Sequence, residues 1–242
     1  MIPVYNKGVY HVKVYPPEGW HIEPPFIELT IDGENDQCSK GIDIDFKFHG
    51  FSVLGKVISS GTFDGPNDFK LRLENSQKSV SLEATTKQNG EYVFESVPPG
   101  EYFISSLDQN MCMGKTRADI KVTNDRLVVP DNIQITGYTV MGSVQDDGTA
   151  MPNVDIILFG HSKLQIPSCK TDISDIKDYP PEVGNLHNLC RVTSGRDGSF
   201  RLPCVPSGSY LVMPYYKRGN VHFDIRPKYA KITVKHGPLT VK

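Results

Sequence analysis

The sequence predicts an all-β protein built from tandem β-sandwich modules, the first of them truncated. Three observations carry this. Two landmark motifs recur along the chain in the same order, so the architecture is a repeat. Short apolar runs alternate with polar residues at the period of a strand. Eighteen prolines and twenty-one glycines are spread over all 242 residues, as short elements joined by many turns require.

The first landmark is "GFSVLGKV" (Gly50 to Val57), matched by "GYTVMGSV" (Gly137 to Val144). The second is "NGEYVFESVPPGEYFIS" (Asn89 to Ser105), matched by "DGSFRLPCVPSGSYLVM" (Asp197 to Met213). Superposing the second landmark on the N-terminus places Pro3 on Pro203, Gly8 on Gly208 and Tyr10 on Tyr210. The chain therefore enters partway through a module. The expected divisions are residues 1–49 as the C-terminal half of a truncated sandwich, 50–136 as a full one, and 137–242 as another. The last carries a long loop insertion near 160–189.

The elements follow in order. Residues 1–49 supply only closing strands, which predicts an unpaired edge, an uncovered apolar face around Val12, Val14 and Ile31, and low stability. Val53, Gly55 and Val57 alternate with Leu54 and Lys56, and "FKLRLEN" (Phe69 to Asn75) alternates likewise. Asn89-Gly90, Asp147-Gly148 and Asp197-Gly198 signal hairpin turns that need positive φ. After the first and last of these turns, Tyr92 and Phe94, then Phe200 and Leu202, face one side. Val-Pro-x-Gly ends a strand, because proline fixes φ and has no N–H for the ladder. Glycine then permits the reversal, and Tyr102 or Tyr210 opens the next strand with its ring inward. "ADIKVT" (Ala118 to Thr123), "VDIILFG" (Val154 to Gly160) and "AKITVK" (Ala230 to Lys235) complete the alternating strands. About seven strands per full module and no helix indicate an immunoglobulin-like or prealbumin-like sandwich. Linkers of almost no length predict a rod of beads.

With 38% hydrophobic and 22% charged residues the chain is a globular protein. A net charge of −2 without acidic or basic blocks argues against nucleic acid or an anionic membrane surface as the main partner. The opening residues lack a signal-peptide pattern, and no apolar run reaches membrane-spanning length. None of Cys38, Cys112, Cys169, Cys190 and Cys204 forms a CxxC pair or has histidine at zinc-finger spacing. Both a reduced cytosolic set and a disulfide-bonded lumenal set are compatible with that count.

Three longer stretches are more specific: "YPPEGWHIEPPFIELTIDG" (Tyr15 to Gly33), "CSKGIDIDFKFHGFSVLGKV" (Cys38 to Val57) and "GYTVMGSVQDDGTAMPNVDIILF" (Gly137 to Phe159). Together with the repeated corner they resemble the carboxypeptidase-regulatory-like repeats of the nodal modulator (NOMO) family. The resemblance covers the whole chain but only the first modules of that family. It implies a non-catalytic scaffold segment of an endoplasmic reticulum membrane protein, acting at the multipass translocon with nicalin and a small multipass membrane protein. The family's signal peptide, the opening strands of the first module and the long remainder with its anchor have no counterpart here, so the expectation is a fragment or alternative product.

Chemistry is sparse. No HExxH, GxSxG or Walker-type loop occurs, and no nucleophile, base and orienting group are legible together, so neither an enzyme nor a cofactor is expected. His21-Ile22-Glu23 lacks the cysteine pair of a zinc deaminase. Asp43 and Asp45, two apart on a strand, read as its solvated face. "DGENDQC" (Asp32 to Cys38) lacks the glycine and terminal glutamate of a calcium loop and reads as a turn. The alternative function is a carbohydrate-binding module of the starch-binding-like type, with Trp20 beside Tyr15, or Tyr215 and Tyr216, stacking on sugar. Exposed, coplanar rings would favour it. The competing role for Trp20 is to cap its module's core against Pro16, Pro17, Pro24 and Pro25.

Cys169 and Cys190 bracket most of the polar, proline-containing insertion, which is expected to run as a surface loop. A disulfide there would remove about 3 kcal/mol of loop entropy from the unfolded chain. In the endoplasmic reticulum these two are expected to pair, leaving Cys38, Cys112 and Cys204 free.

Overall fold

The structure, a computed structural model, describes residues 6–37, 39–60, 62, 64–108, 111–176, 180–218, 221–222 and 225–241. Cys38 lies outside them. The N-terminal part holds β1 (Gly8–Lys13), β2 (Trp20–Glu23) and β3 (Phe26–Ile31). Next come β4 (Lys47–Ser59), β5 (Lys70–Asn75), β6 (Ser81–Thr85), β7 (Glu91–Val97), β8 (Gly100–Ser106), β9 (Cys112–Lys115), β10 (Arg117–Val122) and β11 (Leu127–Val128). The third part comprises β12 (Ile133–Ser143), β13 (Gln145–Asp146), β14 (Thr149–Ala150), β15 (Asp155–Gly160), β16 (His187–Thr193) and β17 (Ser199–Val205). It ends with β18 (Gly208–Tyr215), β19 (Lys217–Arg218), β20 (Val221–His222), β21 (Ala230–Val234) and β22 (Leu239–Val241).

Each full sandwich faces a four-stranded sheet against a second sheet. The four-stranded sheets have the orders β10-β8-β5-β6 and β16-β15-β18-β21. The opposing sheets are not separate. β4 and β12 pair in parallel at Val57–Ser59 and Ile133–Ile135, so one eight-stranded sheet runs through both sandwiches and takes in β2 as well. The beads are therefore fused along one face. The residue that opens the second copy of the first landmark, Gly137, sits inside β12 rather than in a linker.

Strand alternation is visible in the burial. β10 buries Ala118, Ile120 and Val122 while Arg117, Asp119 and Lys121 stay exposed. Val53, Val57, Leu71, Leu73, Phe94 and Ile104 fill the second sandwich; Val140, Ile156, Leu158, Leu202 and Val212 fill the third. At 25 cal/mol per Å² such side chains each contribute about 1.5–3 kcal/mol on burial.

Several expectations are corrected. Asn89 and Gly90 have the positive φ their residue types favour (60° and 79°), yet the turn does not make a hairpin. It carries the chain from β6 in one sheet to β7 in the other, and Asp197-Gly198 does the same between β16 and β17. Turn chemistry fixes the reversal, not which strands pair. Asp147-Gly148 (45° and 81°) does close a hairpin, β13 to β14. Asp43 and Asp45 are exposed but precede β4 rather than lying on a strand.

The insertion is not a bare surface loop. Ile176 and Val183 are 4% and 3% exposed and pack with Ile157, Phe159, Leu211 and Met213 in a second, smaller core. β15 is consequently buried on both faces, which is why "VDIILFG" is a continuous apolar run rather than a clean alternation. Arg191 anchors the insertion through Asp155 (2.6 Å) and Asp175 (2.6 and 2.9 Å), and its own N–H donates to the Lys170 carbonyl. The disulfide Cys169–Cys190 closes the loop, with Cα atoms 4.9 Å apart.

The N-terminal part is thin. β1 and β3 form a two-stranded sheet. Val12, Val14 and Ile31 are half-buried, while Val9 and Phe26 are 61% and 56% exposed.

Candidate functional site at the junctions between sandwiches

The repeated corner is built by its tyrosine. The Tyr102 hydroxyl donates to the Pro98 carbonyl at 2.9 Å, Tyr210 to Pro206 at 2.9 Å, and Tyr10 to Asn6 at 2.8 Å. In each the tyrosine side chain lies over the glycine two residues earlier; a Cβ at Gly100 would stand 3.1 Å from the Tyr102 ring, and one at Gly208 3.3 Å from the Tyr210 ring. The glycine thus makes room for a ring, and burial pushes the Tyr210 hydroxyl up to about 12. Left-handed φ also falls on Ser96 (57°) and Cys204 (53°), each at the same bulge opposite Phe51–Val53 and Tyr138–Val140.

That bulge places Cys204 at the second junction. Cys112 pairs with Gly137 from one side, and Gly137 packs so closely on Cys204 that a Cβ would stand 2.2 Å from the Cys204 carbonyl oxygen. Cys112 and Cys204 form a disulfide with Cα atoms 5.4 Å apart. The expectation of two free thiols here is wrong. The partners are 92 positions apart and meet only because β12 lies between their strands, information no local pattern contains. The available signal was the alignment of Cys204 with Ser96. Beside the disulfide, the Tyr138 and Ser59 hydroxyls are buried and 2.6 Å apart, and His236 Nδ1 lies 3.3 Å from Ser59 Oγ. Burial raises the Tyr138 pKa.

At the first junction β2 pairs with β4, so Trp20 faces Phe51. Its ring meets Phe51 edge-on at 5.1 Å and Phe48 at 5.3 Å, and those two rings are 4.9 Å apart. Trp20 therefore packs on the second sandwich, while Pro16, Pro17, Pro24 and Pro25 are exposed. His21 hydrogen-bonds Ser52 Oγ at 2.8 Å.

Of the four aromatic candidates for sugar stacking, only Tyr15 is exposed (81%), with the Lys13 ammonium 4.9 Å over its ring. Trp20, Tyr215 and Tyr216 are half-buried; Tyr215 packs on the smaller core and Tyr216 on the main one. The structure does not join them into an exposed platform. The Asp32–Asp36 turn spends its carboxylates on itself. Asp32 Oδ1 accepts from the N–H groups of Glu34, Asn35 and Asp36. Asp36 accepts from Gly33 and Ser39, and the Ser39 N–H is the main cause of its strongly lowered pKa. Among the described residues no three His, Cys, Asp or Glu side chains form a metal-type cluster. No helix among them is long and apolar enough to cross a membrane.

Three family models match in sequence along the chain. They are the first beta sandwich domain of BOS complex subunit NOMO1-like proteins at residues 1–46, the second at 48–136, and the NOMO third transthyretin-like domain at 138–242. Human BOS complex subunit NOMO3 and mouse BOS complex subunit NOMO1 are each 36% identical over 245 residues, covering all of this chain. The Caenorhabditis elegans nicotinic receptor-associated protein 4 is 33% identical over 237 residues, 97% of this chain. The chain spans about one fifth of the length of these relatives. It belongs to the NOMO family.

Proposed function

We propose that the chain is a non-catalytic scaffold segment of a BOS-type complex in the endoplasmic reticulum membrane, serving multipass membrane-protein biogenesis with nicalin and a small multipass membrane protein. One observation carries the reading: sandwich domains of a BOS complex subunit match in order along the whole chain. The geometry suits the role. A sheet continuous through two sandwiches and a disulfide across their junction fix the spacing of lateral surfaces, which is what a scaffold needs. Residues 1–49, 50–136 and 137–242 act as its three units.

The test is affinity purification from solubilised membranes of cells that make the chain in the lumen, beside the full-length relative. Nicalin is expected with both. Recovery by the relative alone would overturn the assignment of partner contact to these modules.

A further inference from the structure

A cleft of about 770 Å³ opens between the two sheets of the third sandwich, walled by Gly142, Val144, Ile156, Phe200, Val212 and Val241. Its counterpart in the second sandwich can be located residue by residue. Leu127 pairs with Val53 as Leu239 pairs with Val140, so Val241 corresponds to Val129 and Val144–Asp146 to Val57–Ser59. Leu73 pairs with Ile104 as Leu158 pairs with Val212, so Ile156 corresponds to Leu71. In the second sandwich that place is filled. After Val129 the chain turns and lays Ile133–Ile135 in parallel along Val57–Ser59, with Ile133 and Ile135 both 0% exposed in the core. The Ser60 N–H donates to the Ile135 carbonyl at 2.8 Å, and β9 covers the strand's other edge.

The third sandwich has the same receptor. Gln145 and Asp146 pair with β14 on one side only, among the described residues, while the Val144 N–H donates to the Gly198 carbonyl and its own carbonyl accepts from the Met151 N–H. Asp147 is the counterpart of Ser60. The segment Ile225–Pro227 also lines the cleft, and because Ala230 pairs with Val212 as Ala118 pairs with Ile104, it corresponds to Met113–Lys115 of β9. An apolar cavity beside an open strand edge selects an extended segment, because only a strand supplies ladder hydrogen bonds and alternate side chains together.

We infer that this cleft accepts a parallel β-strand with apolar residues at i and i+2, the leading strand of a further sandwich of the same kind. The occupant is argued from the molecule itself: the interface already formed by Ile133–Ile135 is the one the cleft would repeat. The relatives are about five times longer than this chain, so they carry further sequence that can supply it.

The test extends the full 242-residue chain after Lys242 with the seven-residue sequence of Asp131–Gly137. That continues the register, because Val241 corresponds to Val129. A second extension carries aspartate at both isoleucine positions. The first is expected to raise Tm by roughly 5 °C and to slow amide exchange at Val144–Asp147 about tenfold, while the aspartate version does neither. Equal Tm and exchange in the two extended chains would overturn the inference. So would equal uptake of the apolar dye anilinonaphthalene sulfonate by both, since the cleft would then still be open to small apolar ligands.

Discussion

The two junctions of this chain solve one geometric problem with different chemistry. In each, a strand from the preceding module pairs beside a glycine: His21 opposite Gly50, and Cys112 opposite Gly137. In each, that glycine packs on a bulge residue with positive φ, Ser96 or Cys204; a Cβ at Gly50 would stand 2.5 Å from the Val97 backbone. There the likeness ends. The second junction has a disulfide and a buried hydroxyl pair, and its β12 is shared by both sandwiches. Besides the β2–β4 pairing, the first relies on three rings, one of them 44% exposed, on the His21–Ser52 hydrogen bond and on the exposed ion pair of Arg126 with Glu18. Exposed ion pairs contribute little. One joint is therefore locked and the other compliant, and residues 6–37 should exchange amide protons faster than β4 or β12.

The largest expected break comes from the cross-links. Replacing Cys112 and Cys204 together by serine frees a loop of 92 positions, and replacing Cys169 and Cys190 frees one of 21. The chain-entropy model gives losses of about 4.6 and about 3.3 kcal/mol. Denaturant unfolding of the two double variants would measure both. An equal loss, or a larger one from the insertion, would mean that the junction disulfide holds together parts already fixed by β12.

The comparison is sharpened by transplanting the lock. His21→Cys with Ser96→Cys places cysteines at the positions that correspond, by pairing register, to Cys112 and Cys204. Mass mapping of the oxidised protein should find them bonded, with the oxidised form more stable than the reduced by about 4.5 kcal/mol. Two free thiols would show that the matching register hides different strand separations.

How much of this was legible beforehand follows from which signals are local. Strand periodicity, the two landmarks and the Asp147-Gly148 hairpin depend on a few adjacent residues, and β10 and β21 have the alternating burial their sequences announce. The merging of the sheets through Ile133–Ile135 does not, because nothing in "IQITGYTVMGS" says where one sandwich ends. The insertion is an intermediate case. Its polar composition hid Ile176 and Val183, but the unbroken apolar run opposite them called for a second covering layer. Of the aromatic candidates, Trp20 found partners on the next module, contacts that neighbouring prolines could not reveal.

The smallest effects come from a single change, tyrosine to phenylalanine, made in two places. Tyr138→Phe removes a buried hydroxyl that is 2.6 Å from Ser59 Oγ, so it strips a made bond from the locked junction. The expected cost is about 1–2 kcal/mol. Tyr92→Phe should do the reverse. The Tyr92 ring packs on Gly55 as Phe200 packs on Gly142, and its hydroxyl is buried without a hydrogen-bond partner among the described residues. Burial alone accounts for its raised pKa. An unpaired buried hydroxyl has lost water and gained nothing, so deleting it should stabilise the second sandwich by up to about 1 kcal/mol. In a chain of this size that is a rise in Tm of roughly 2–4 °C. Thermal unfolding of the two variants side by side decides the matter. If Tyr92→Phe loses stability as Tyr138→Phe does, the hydroxyl is bonded to a trapped water, and the second sandwich uses a polar contact that Phe200 shows the third can do without.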